Sequence, residues 1–200
     1  MDLLAKIRRA GVPLVEYAGV KPYRGVLTGY NEAFMIDTAT RDRLVAADPA
    51  SAEIIKPYLR GQDVQRWSAP DSGLHLILLR SSRDYAWPWA TAGDEVAAEA
   101  TFARTYPALY AHMKLFESIP GDKPGERKGL RHREDHGRYW WELRSCAYYD
   151  AFDNPKLLYV DICWTASFLP DRSGRSVSNT SYFLPGSNDW LAMVLNAPVG

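Results

Sequence analysis

The chain is poor in the features that would tie it to a membrane, a disulfide framework or a metal. Only two of its 200 residues are cysteines, Cys146 and Cys163. They form no CxxC pair and sit in no zinc-type spacing, which excludes a disulfide scaffold and a structural zinc module. The expectation is two buried free thiols in a reducing compartment. No apolar run approaches the roughly 20 residues needed to span a bilayer. The opening residues, MDLLAKIRRAGVPLVEY, lack the apolar stretch of a secretory signal, so the expected location is the cytoplasm and no membrane is an expected partner. Positive charge is not in excess either: Lys+Arg is 24 and Asp+Glu is 24. A polyanion binder of this composition needs local basic patches. The four histidines form no HExxH or other paired set, and no glycine-rich segment follows a strand as a cofactor loop requires. There is no internal repeat and no low-complexity tract. A Pro70-Asp71 pair followed by Glu126-Arg127-Lys128 imitates a nuclease core. Such short patterns arise by chance, and Lys128 falls in a segment without strand character.

What is present is a folding composition, 46% hydrophobic and 12% aromatic, long enough for one domain or one domain with a small lobe. Residues 2–10 read as a short helix with Leu3, Leu4 and Ile7 on one face, stopped by Gly11-Val12-Pro13. Residues 20–37 read as a hairpin. Val26-Leu27 and residues 33–36 are its strands, and Thr28-Gly29-Tyr30-Asn31 is a polar turn in which Gly29 takes a positive φ. Thr38 is the expected N-cap of a helix over 41–47 that ends at Asp48-Pro49, and Ser51 that of a second helix with Ile54 and Ile55 inward. Residues 74–79, LHLILL, read as a buried strand. Residues 80–89 form a loop carrying Tyr85, Trp87 and Trp89, and 95–116 a helix broken at Pro107. A long polar loop covers 119–138. Strands follow at 139–143 and 157–162, a second polar loop at 165–180, a strand at 181–184 and a helix at 188–195. The expected class is α+β: a small mixed or antiparallel sheet with helical hairpins.

The order of several segments is distinctive. Thr28, Gly29, Asn31, Glu32, Ala33, Phe34, Ile36 and Asp37 lead to Asp48, Pro49, Ser51, Glu53, Ile54, Ile55, Lys56, Pro57, Leu59, Arg60, Gly61 and Asp63, and then to the aromatic Trp67. Tyr139-Trp140-Trp141-Glu142-Leu143-Arg144 follows. Next comes Asn154-Pro155-Lys156-Leu157-Leu158-Tyr159 with Asp161, then Trp190-Leu191-Ala192-Met193-Val194-Leu195-Asn196. In this order the chain resembles the TaqI-like target-recognition domain of type IIG restriction–modification enzymes and adenine-specific DNA methyltransferases. The resemblance covers nearly the whole chain. It implies a recognition domain over 21–200 with DNA-facing loops, preceded over 1–20 by a connection from an upstream domain. It also implies double-stranded DNA as partner, together with a methyltransferase domain that holds S-adenosylmethionine. Such enzymes continue beyond the point at which this chain ends. No Asn/Asp-Pro-Pro-Tyr/Phe motif is present, since Asp153-Asn154-Pro155-Lys156 lacks the second proline and the aromatic. No catalytic residue and no cofactor site are therefore expected in the chain itself.

The candidate contacts fall into sets. The loop at 119–138 carries Lys123, Arg127, Lys128, Arg131, Arg133 and Arg138, with Glu126, Glu134, Asp135, His132 and His136 between them. Arginine forks onto guanine O6 and N7, and lysine meets phosphate as a point charge. The other reading is a solvated mixed-charge loop. The loop at 165–180 offers Arg172, Arg175, Ser173, Ser176, Ser178 and Asn179, as base readers or as an ordinary hairpin loop. Lys56, Arg60 and Arg66 are expected either on the DNA backbone or in ion pairs to Asp48, Glu53 or Asp63. Asn31 is a contact or only a turn-former. Trp87, Trp89, Trp140 and Trp141 are mostly core, but successive residues of a strand face opposite ways, so one of Trp140 and Trp141, with Trp140 the candidate, lines a groove. Two other classes stand beside the DNA reading: a protein-interaction domain of a phage-defence complex, and a small enzyme of unrecognised type.

Overall fold

The computed structural model describes residues 2–186 and 189–197. Two short helices come first, α1 (Leu3–Ala10) and α2 (Leu14–Ala18). The side chains of Leu3, Leu4 and Ile7 lie outside the described residues. β1 (Tyr23–Arg24), α3 (Asn31–Phe34), β2 (Met35–Asp37) and α4 (Thr38–Ala47) follow, then β3 (Ile55–Leu59) and β4 (Leu74–Ile77). The helical hairpin is α5 (Glu95–Thr105) and α6 (Pro107–Lys114), with Pro107 opening α6, where its missing N–H costs nothing. β5 (Ile119–Pro120), β6 (Arg127–Lys128), β7 (Lys156–Val160), β8 (Phe168–Asp171), β9 (Ser176–Val177), β10 (Ser181–Pro185) and α7 (Asp189–Asn196) complete the described elements.

These strands make an α+β domain with two four-stranded sheets. One is antiparallel in the order β1-β10-β7-β8. The other runs β2-β4-β3-β9 and is mixed, because β9 joins β3 in parallel. β5 and β6 form a separate two-stranded ribbon. Both sheets share the main core. β7 shows how alternation sorts the first sheet. Leu158 enters the main core with Phe183 and Leu169. Leu157 and Tyr159 face the other way, against Leu191 and Ala192 of α7 and Leu14 of α2.

The sequence-based hairpin at 20–37 does not form. Val26 donates its N–H to the Val177 carbonyl, and Gly25 lies so close to the Ser178 carbonyl that a Cβ there would collide with it. This segment is therefore drawn to β9. Beyond the Gly29 turn, where φ is +67°, residues 31–34 are a helical turn, and β2 pairs with β4 instead. Local pattern predicted the turn; a pairing some 150 residues away chose the partner. Two caps also shift. Asp37, not Thr38, caps α4 by accepting from the Thr40 N–H at 2.7 Å. Asp48 caps a 3₁₀ turn over Pro49–Glu53, so Ser51 does not start an α-helix, and Ile55 already begins β3.

Further expectations are corrected. Residues 139–143 are a turn, not a strand, because the Glu142 carboxylate gathers the N–H groups of Arg138 and Tyr139 at 2.8 and 3.2 Å and the Trp89 indole N–H at 2.8 Å. Without strand alternation, Trp140 and Trp141 are both buried. The polar segment 165–180 contains β8 and β9, and Lys128 does lie in a strand, β6. Cys163 is exposed, not buried; Cys146 is half-buried, and both are free.

Candidate functional site

The 59–67 segment meets the turn after β9 and the start of β8 in space. The step after β3 is locked to the turn after β9: Gly61 donates to the Ser178 hydroxyl at 3.1 Å, and Ser178 donates its N–H to Leu59 at 3.0 Å. Gly61 has no room for a side chain, since a Cβ would lie 2.6 Å from the Thr180 hydroxyl. Asp63 holds this step by accepting from Arg60 N–H, Nε and Nη2 at 2.9, 3.0 and 2.9 Å. On the same rim, Arg24 Nε donates to the Asn179 carbonyl at 2.7 Å and Arg66 Nε to the Ala166 carbonyl at 3.3 Å. Trp67, at φ +69°, donates its N–H to Phe168 at 3.4 Å. A groove of about 550 Å³ opens between these segments, with Arg24, Gln62, Val64, Ile162, Trp164 and Thr180 among its walls. The rim thus presents Arg24, Arg66 and Gln62, all exposed, beside the exposed indoles of Trp67 and Trp164.

The predicted contacts divide on this scaffold. Arg133 belongs to the core. It is buried, lies 4.7 Å over the Phe34 ring, and donates to the carbonyls of Trp140 at 3.0 Å, Thr28 and Glu142. Burial pushes its pKa down to about 10, so it is still charged at neutral pH. Trp140 is buried under Arg131 and Lys114, whose charged ends sit 5.2 and 5.5 Å from its ring. Neither side chain can reach a surface ligand in this conformation. Arg131 is held by Glu95, Glu117 and Glu99 at 2.5, 2.6 and 3.4 Å. Arg172 binds Asp189 at 2.8 Å, Arg175 binds Asp171 at 3.0 Å, and Lys128 approaches Asp122 at 3.4 Å. Lys56 faces Asp153 at 3.9 Å, a partner that the sequence did not suggest. Arg60 pairs with Asp63 as the internal reading expected.

Cations that meet no carboxylate are fewer. Arg66 and Arg138 contact carbonyls, of Ala166 and Ala90, and Arg127 contacts the hydroxyl and carbonyl of Ser118. Lys123 is exposed, and its ammonium has no partner among the described residues. Asn31 accepts from the Thr28 hydroxyl at 2.6 Å, the turn-forming role. Asn179 contributes its carbonyl to Arg24. Sequence reasoning passed over Arg24, Gln62 and Trp164. The available signal was the lone tryptophan in DICWTAS, directly after an apolar strand.

A second, smaller cleft of about 230 Å³ lies between Lys56, Arg80, Tyr85, Tyr106 and Asp150. Its charges are spent on each other: Arg80 meets Asp150 at 2.7 Å and lies 4.7 Å over Tyr85. Among the described residues no group of His, Cys, Asp or Glu could hold a metal ion, and no helix is long and apolar enough to cross a membrane.

No protein-family model matches the chain, and no curated protein matches it. Among solved structures it is similar to the type IIL restriction–modification enzyme MmeI in complex with DNA, at 13% identity and a TM-score of 0.48. That match covers 88% of this chain and 20% of the other, so the chain spans about a fifth of the length of that enzyme.

Proposed function

We propose that the chain is a sequence-specific duplex-DNA recognition domain of a restriction–modification enzyme, acting beside an adenine-specific methyltransferase domain that supplies S-adenosylmethionine chemistry. The observation that carries this reading is the rim itself. Segments more than 100 residues apart are stitched together through Gly61, Ser178 and Gly25, and the product is a surface of arginines, an amide and indoles. Glutamine reads adenine edges in the major groove, and arginines on the phosphates fix register. The type IIG assignment and the adenine specificity rest on the motif order in the sequence.

The seat for a partner domain is the apolar face shared by α2 and α7. Tyr17 of α2 and Trp190 of α7 lie 6.1 Å apart, and Val12, Val15, Met193 and Val194 are also exposed nearby in the same two segments. Apolar surface of this kind marks interaction sites.

The direct test is binding-site selection from a random duplex library on the purified chain at two salt concentrations. One enriched motif containing adenine is the expected result. Absence of binding at low salt by folded protein would sink the reading and bring the protein-interaction class forward.

A further inference from the structure

Residues 161–167, which join β7 to β8, carry apolar bulk that no described residue covers. Ile162 and Trp164 are fully exposed at the tip. Single exposed apolar residues are ordinary, but two bulky ones on one projecting loop beside a third, Trp67, are not. The loop is fastened at both ends. Asp161 donates its N–H to the Thr180 carbonyl at 3.0 Å. At the other end Arg66 holds the Ala166 carbonyl, and Phe168 donates to Asn196 Oδ1 at 2.9 Å. A second observation is independent of exposure. Trp67 is the one residue other than glycine with a positive φ among those described, +69°, and strain at a bulky residue clusters where the conformation is used.

Charge narrows the occupant. The apolar tip is flanked by Arg24 and Arg66, which donate to carbonyl oxygens and meet no carboxylate among the described residues, with Asp161 the single acid of the loop. Gln62 and Thr180 add hydrogen-bonding capacity along the groove. A flat apolar slot bordered on two sides by anions fits that pattern, and a base step bordered by its phosphates is such a slot. A self-association patch would not need cations free of carboxylates on either side.

We propose that the 161–167 loop is a wedge: Trp164 inserts into a base step of bound duplex, supported by Ile162, while Arg24 and Arg66 hold the flanking phosphates. This rests on the duplex-DNA reading above and deepens it. Apolar wedges unstack and kink a duplex, and unstacking a step lowers the remaining cost of extruding a neighbouring base.

The test uses the 200-residue chain and a duplex that it binds, with 2-aminopurine placed at each position of the site in turn. The wild-type chain should raise the fluorescence at one step. Trp164→Ala should abolish that rise and weaken binding about 5- to 150-fold, the range for one lost aromatic–base stack. Trp164→Phe should restore most of both. Because Trp164 is fully exposed, the fold should be unaffected, which circular dichroism checks. Unchanged affinity and fluorescence in Trp164→Ala, with duplex binding intact, would overturn the wedge and leave DNA recognition standing. A concentration-dependent dimer lost in Trp164→Ala would assign the loop to self-association instead. No wild-type duplex binding at low salt would overturn the recognition reading and the wedge together.

Discussion

Arg133 separates a contact residue from a structural one. By sequence it sits in a basic loop among base-reading candidates; in the fold it ties three separate segments together. Its guanidinium donates to the carbonyls of Thr28, Trp140 and Glu142, and its plane lies 4.7 Å over Phe34. Replacing it by methionine keeps most of the apolar volume and removes every donor. Four buried carbonyls, these three and that of Leu130, then lose a partner, at about 1–3 kcal/mol each. Relief of the buried charge offsets part of this, and one-sided removal of a buried charged partner generally costs about 3–5 kcal/mol. Against a total stability of about 5–15 kcal/mol this is a large fraction. For a chain of this size it predicts a melting temperature lower by about 6–20 °C. Urea unfolding followed by the fluorescence of the seven tryptophans would measure it. The folded fraction should bind DNA with wild-type affinity. A loss below about 1 kcal/mol together with weakened DNA binding would refute the core assignment and return Arg133 to the reading surface.

Four more outcomes follow from the same geometry. Lys156 and Asp171 form a fully buried pair at 2.8 Å, in which Asp171 also binds Ser173 and Arg175. Lys156→Met should therefore cost about 3–5 kcal/mol, and adding Asp171→Leu should recover much of it in a double-mutant cycle. His112 is buried, with Nε2 donating to the Ala33 carbonyl at 2.9 Å, and burial holds its pKa below 6.5. The unfolded chain takes up that proton first, so stability should be full above about pH 6.5 and fall as pH drops. His112→Gln should flatten this slope in unfolding series at several pH values, leaving the share of His75, whose pKa is lowered by burial and then by Arg41. Trp67→Gly should relieve the positive φ and raise stability by about 1 kcal/mol in urea unfolding while weakening DNA binding, the trade expected of strain kept for use.

The sequence showed elements better than partners. The apolar run at 74–77, the break at Pro107 and the strands at 156–160 and 181–185 were legible because burial and proline act locally. The mispairing of 20–37 arose because a polar turn between two apolar runs reads as a local hairpin, whereas Gly25 allows a close approach to Ser178, a contact invisible at short range. Residues 139–143 look like a strand because aromatic residues favour strands. What decides otherwise is the single buried carboxylate of Glu142, which collects three N–H groups and folds the segment on itself. The basic loops read as contact surface because nothing in local sequence shows that Glu95, Glu99 and Glu117 will surround Arg131.

That internal pairing also fixes how a chain with no net charge would bind a polyanion. Arg60, Arg131, Arg172 and Arg175 cannot move to a phosphate without abandoning a carboxylate, which would then repel the same phosphate. Among the candidate contacts and the rim, the exposed cations that pay no such penalty are Arg24, Arg66, Arg127, Arg138 and Lys123, which meet no carboxylate among the described residues. If these five and no other cation reach phosphates, the logarithm of affinity should fall with the logarithm of salt with a slope of about −4.5, at about −0.9 per phosphate. Between 50 and 200 mM salt that is about 500-fold. Replacing Arg66 by glutamine should make the slope shallower by about 1, whereas Arg172→Gln should leave it unchanged, since that arginine is already neutralised. A slope near −8 would mean that other exposed cations or opened ion pairs also meet phosphates and that the rim is not the main phosphate surface. A shallow slope that tracks Arg24 and Arg66 would mean that affinity comes from shape and stacking at the groove, with charge serving to position it.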